Sequence, residues 1–107
     1  MQTMWKFKTC NFLVAWQVQE LNGYQYDGED FDGSIQAAID SGELIAFDSK
    51  VAVYHKGVEI AADYLGGSVY HAGKEHRFKN DGYFRDMVST VIDETREYFA
   101  AMPKLRK

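Results

Sequence analysis

Apolar residues occupy every second position from Phe12 through Val14 and Trp16 to Val18. A period of two is the spacing of a strand with one buried face. Trp5 and Phe7 fall on the opposite parity. Residues 5–18 are therefore predicted as one long strand, with a bulge or change of face near Thr9–Asn11 reconciling the two parities. Asn22-Gly23 is a strong turn signal, and the Gly-, Asp- and Tyr-rich stretch from Gly23 to Gly33 reads as a loop. Phe31, Ile35, Ala38 and Ile39 then recur at helical spacing, predicting a short helix over about 33–41. Asp32 or Ser34 is placed to cap its start, and Gly42 to stop it in a left-handed conformation.

A second strand is predicted from Glu43 to His55, broken near Asp48-Ser49, with Val51–Tyr54 as its best part. His55-Lys56-Gly57 is a tight connection to a third strand, Val58–Tyr64, making a hairpin. Gly66-Gly67 interrupts the pattern. Ser68–Tyr70 reads as a further short strand or an exit, and residues 71–80 as a polar loop. From Asp81 to Met102 the spacing predicts an amphipathic helix. Phe84, Met87, Val88, Val91, Thr95, Tyr98, Phe99 and Met102 form its apolar stripe, and Arg85, Asp86, Ser89, Asp93, Glu94, Arg96 and Glu97 its outer face. Asn80 or Asp81 is expected to cap it, and Pro103 to stop it. The predicted order is β-α-β-β-α. This is an α+β fold in a single domain, residues 1–107. Its antiparallel sheet has three to four strands, a short helix follows strand 1, and a long C-terminal helix packs on the sheet.

Composition agrees with a folded chain. Hydrophobic residues make up 46% and aromatics 15% of 107 residues, well above what disordered segments carry. Cys10 is the sole cysteine, so no internal disulfide is expected, and a reducing cytoplasm is the expected location. The first residues lack the charged-then-apolar layout of a signal peptide, and no apolar run approaches a membrane span.

Charge changes the picture more. The net charge is −4, yet between Thr9 and Ser49 there are eight acidic residues and no Lys or Arg. Within that stretch Tyr24, Tyr26 and Phe31 stand among Asp27, Glu29, Asp30 and Asp32. Tyrosine is enriched at interfaces because it offers a flat apolar body and a polar tip. A carboxylate-rich patch steers association with a basic partner. These seven residues are the candidate partner-binding site, and a solvated acidic loop is the other reading of them.

The remaining candidates are weaker. Asp27–Gly33 resembles a calcium loop in composition. With Gly33 at the sixth position, however, the first ligand falls on Gly28 and the twelfth on Ile39. His55, His71 and His76 form no close pair, so no metal or other cofactor is expected. Cys10 reads as a buried strand cysteine rather than a nucleophile. Gly66-Gly67-Ser68 reads as a bulge rather than a phosphate loop, because no helix follows it. Lys74, Arg77 and Lys79 surround Phe78, and Lys104, Arg106 and Lys107 close the chain. Both clusters are small for phosphate contact, and direct nucleic-acid binding is not expected.

Three segments carry a resemblance: Ala62–Tyr70 (ADYLGGSVY), Asp81–Val88 (DGYFRDMV) and Met102-Pro103-Lys104, with Gly42–Phe47 more loosely. Together they resemble small phage- and prophage-encoded proteins without an assigned activity, so no functional residue is carried over. The resemblance implies a context. Small acidic phage proteins are often inhibitors of host machinery, anti-CRISPR proteins among them. The expectation is a non-enzymatic accessory protein in the host cytoplasm, monomeric or homodimeric. Its acidic aromatic face would inhibit a host protein or nucleoprotein complex with a basic surface. Two alternatives stand beside it: a small hydrolase using carboxylates with His55 or His71, and an oligomeric structural or regulatory phage protein.

Overall fold

Thr9 ends the first run of alternating residues and turns the chain. Its hydroxyl accepts from the backbone N–H of Phe12 at 3.0 Å, and its own N–H donates to the Phe12 carbonyl at 2.8 Å. Side-chain capture of a backbone N–H two or three residues on is the chemistry by which threonine makes turns. In this computed structural model, which describes residues 1–101, the predicted single strand is therefore a hairpin of β1 (Gln2–Lys8) and β2 (Leu13–Glu20). Trp5 pairs with Trp16 and Phe7 with Val14. Both parities of the sequence thus lie on one face, because the chain reverses between them.

The short helix α1 (Ser34–Ser41) consequently follows the second strand rather than the first, and leads into β3 (Leu44–His55). Lys56-Gly57 then returns the chain along β4 (Val58–His71). The sheet is an antiparallel meander in the order β1-β2-β3-β4. β4 absorbs both the predicted third strand and Ser68–Tyr70. Pairing passes from Phe47–Ser68 to Ser49–Leu65, so Gly66 and Gly67 form a bulge opposite Asp48. β3 itself runs unbroken through Asp48-Ser49; the interruption read there lies in its partner.

One face of the sheet is apolar and carries α2 (Gly82–Ala101). Trp16, Val18, Phe47, Val51 and Val53 from the strands meet Met87 and Val91 from the helix. The helix runs for about 30 Å at 1.5 Å per residue. Phe84, Val88 and Phe99 lie half-buried along the expected stripe. Tyr98 does not join it: it is exposed, edge-on to Phe99. Met102, Pro103 and the basic cluster Lys104, Arg106 and Lys107 lie outside the described residues.

The predicted polar loop between sheet and helix contains a 3-10 turn, Glu75–Asn80. It exists to place Phe78, which is 1% exposed and stacks on Trp16 with ring centroids 5.3 Å apart. Asp81, an expected helix cap, turns its carboxylate to the Tyr70 hydroxyl instead, at 2.8 Å. Burial, then this hydrogen bond, pushes the Tyr70 phenol up to about 12.

Candidate interaction surface

The acidic stretch sits at the end of the sheet where β2 stops and β3 begins. Its scaffold is α1, and the start of α1 is made by carboxylates. Gly33, with φ of +74°, holds the N-cap position, so neither Asp32 nor Ser34 occupies it as expected. Asp30 instead reaches forward, and its two oxygens accept from the N–H groups of Ile35 and Gln36, both at 3.0 Å. Asp32 accepts from Ser34 N–H at 3.0 Å. The Ser34 hydroxyl first, and then this backbone bond, holds the Asp32 carboxyl below its ordinary range. Negative charge at a helix N-terminus satisfies its free amide groups and complements its dipole. At the other end Gly42 takes the left-handed stop, with φ of +86°.

Gln36 ties the preceding loop down. Its side-chain carbonyl accepts from Tyr26 N–H at 2.7 Å, and its amide nitrogen donates to the Tyr24 carbonyl and to Asp40 Oδ1, each at 3.0 Å. Leu21 N–H donates to the Ala46 carbonyl at 2.9 Å, which fixes the loop where it leaves the sheet. Tyr24 lies against the β4 bulge, and a Cβ added at Gly67 would stand 2.7 Å from its hydroxyl oxygen. Gly67 has φ of +69°, and its N–H donates to Asp48 Oδ1 at 3.1 Å. Burial first, then nearby Asp27, raises the Tyr24 phenol.

The seven candidate residues therefore divide by position. Tyr24 and Tyr26 are half-buried supports, and Asp30 is turned inward to the helix. Asp27, Glu29 and Asp32 are exposed, and Phe31 between them is 95% exposed. The ion pairs among the described residues are Lys50–Glu59 and Arg96–Asp93. None of the eight acids from Glu20 to Asp48 takes part in an ion pair among the described residues. Gln36, Asp48 and Gly67 hold the loop although the sequence did not mark them as part of this site; Gln36 carried one available signal, a long amide one position after Ile35 on a short helix.

The other candidates are dispersed. His55 packs against the rings of Phe12 and Phe99, which also meet each other, with Nδ1 2.9 Å from the Asn11 carbonyl oxygen. His71 pairs with Leu44 at the opposite end of β3, and His76 is exposed on the 3-10 turn. Cys10, expected to be buried in a strand, is exposed in the Thr9–Phe12 turn. Phe78 is in the core, so the ring that stands among Lys74, Arg77 and Lys79 in the sequence is not exposed beside them. Among the described residues no three His, Cys, Asp or Glu side chains converge as metal ligands, and no helix is long and apolar enough to cross a membrane. Two concavities among the described residues, of about 690 and 700 Å³, have no Asp or Glu in their walls.

Comparison with known proteins found no matching family model, no matching curated protein and no matching solved structure.

Proposed function

We propose that this chain is a non-enzymatic binding protein that docks the loop Asp27–Asp32 onto a basic surface of a host protein or nucleoprotein complex and blocks it. The observation that carries this reading is Phe31. A phenyl ring that is 95% exposed lies at the tip of a loop held by side-chain hydrogen bonds, beside the exposed carboxylates of Asp27, Glu29 and Asp32. An exposed large aromatic on a solvated loop costs free energy in water. On a pre-organised loop it supplies an anchor with little ordering left to do on binding. Asp27, Glu29 and Asp32 add long-range steering toward positive charge. The dispersed histidines, and the carboxylate-free walls of the two concavities beside His55, favour this reading over the hydrolase alternative.

The resemblance to phage-encoded proteins supports an anti-defence role, anti-CRISPR-like, in the cytoplasm of the host cell. The test is phage plating on bacteria that carry single, defined defence systems. Expression of the chain is expected to restore plating against at least one of them. A variant carrying Asp27→Lys, Glu29→Lys and Phe31→Ala is expected to lose that effect while remaining soluble and folded. Restoration by the variant at wild-type level contradicts the reading.

A further inference from the structure

The sheet has a second face, opposite α2, and its far end carries the inverse of the Phe31 loop. Lys8 pairs with Leu13 and Lys6 with Ala15 across β1 and β2, and Leu13 pairs with Tyr54 across β2 and β3. Directly paired residues share a face, and this parity is opposite to that of Val14 and Trp16 in the core. Together with Lys56 from the β3–β4 turn, these residues line the concavity of about 690 Å³. Leu13, Ala15 and Tyr54 give it an apolar floor, and Lys6, Lys8 and Lys56 a cationic rim. In a chain of net charge −4, not one of its lining residues is acidic.

A groove of this kind selects an anionic segment with an apolar anchor. The chain itself displays such a segment: Phe31 among Asp27, Glu29 and Asp32. The two surfaces of one molecule cannot meet. β2 runs from Leu13 at the groove to Glu20 at the loop, about 23 Å at roughly 3.3 Å per residue. The Gln36 and Asp30 hydrogen bonds hold Phe31 at the loop end.

We propose that the groove receives the Phe31 loop of a second copy. The contact joins two different patches, so it is head-to-tail. Each added copy leaves one loop and one groove open, and the assembly propagates unless a ring closes. The contact is small and rimmed by exposed charge. Association is therefore weak, concentration-dependent and sensitive to salt. It uses the same loop as the proposed function, with a different partner, so dilution frees the loop for its target.

Sedimentation velocity over a concentration series up to about 1 mM, where even a contact with a Kd near that value is visible, tests this. The weight-average mass of the wild type is expected to rise with concentration in low salt. It should return to the monomer mass near 1 M salt, where the Debye length is about 3 Å. Phe31→Ala alone, and Lys6→Glu with Lys8→Glu, should each stay monomeric with unchanged circular dichroism. Mixed together, they should form a 1:1 complex and nothing larger, because one supplies the only working groove and the other the only working loop. A wild type that remains monomeric throughout overturns the proposal, even where the same Phe31→Ala change abolishes binding of a host target. So does association that survives in both single-surface variants, which marks another contact. A mixture that stays monomeric overturns it as well, including one whose groove takes heparin or an acidic peptide in place of the second copy.

Discussion

Ser49 has no exposed surface, yet it lies in the middle of an apolar layer. Its hydroxyl accepts from the Trp16 indole N–H at 3.1 Å, so the largest core side chain has its one polar atom satisfied. Ser49→Ala leaves that buried N–H without a partner and is expected to cost about 1–3 kcal/mol in urea unfolding. Combining it with Trp16→Phe should cost less than the sum of the two single changes, since the second removes the orphan donor. Tyr70 gives a separate handle through pH. Its folded-state phenol lies near 12, against an ordinary value of 10.0. Between those values the folded state holds a proton that the unfolded state releases. Its contribution is thus full below pH 10 and is lost as pH rises toward 12. Tyr70→Phe should lower neutral-pH stability by about 1 kcal/mol and flatten the alkaline fall, measured as unfolding midpoints from pH 8 to 12. At this scale the sequence was only partly legible. Val14, Trp16 and Val18 announce themselves by parity. Phe78 does not, because a lone ring between Arg77 and Lys79 looks the same whether it faces water or a tryptophan. The division of Asp30 from its neighbours was equally hidden, since composition does not say which of four carboxylates turns back to a helix.

The elements that matter for the loop are α1 and the β4 bulge. Asp30→Ala removes both acceptors at the start of α1 and is expected to cost about 0.5–2 kcal/mol. Asp27→Ala and Glu29→Ala, on exposed side chains, should fall within about 0.5 kcal/mol of wild type. Gly67→Ala works through geometry alone. It forces a side chain into the left-handed region and drives its Cβ into the Tyr24 hydroxyl, so about 1–2 kcal/mol should be lost and partner binding weakened with no change of charge. Unfolding curves beside a binding assay separate the two effects. The helices were legible because 3.6-residue periodicity and the glycine at position 42 are local. The first hairpin was not: its turn contains no Gly or Pro, and the hydroxyl of Thr9 that makes it looks like any polar residue within a strand. Placement of the short helix failed with it. Gln36 escaped notice for a related reason, since its partners are the backbone groups of residues ten and twelve positions away.

Over the whole molecule, charge is separated along the sheet. The acidic loop and Phe31 stand at one end, and the lysine-rimmed groove at the other. The charge asymmetry was visible in the sequence as a run from Thr9 to Ser49 without a single cation. That Lys6 and Lys8 frame a groove depended on the hairpin, which brings them beside Leu13 and Tyr54. The central claim is that the exposed tip of the acidic loop is an interface. The most direct measurement is quantitative capture from a bacterial lysate with two baits. One is the wild-type chain. The other carries Asp27→Asn, Glu29→Gln, Phe31→Ala and Asp32→Asn but keeps Asp30, and with it the two bonds that start α1. The expected result is a defined set of proteins with basic surfaces that the wild type retains, that rising salt releases, and that the variant fails to hold. Indistinguishable capture by the two baits contradicts the claim.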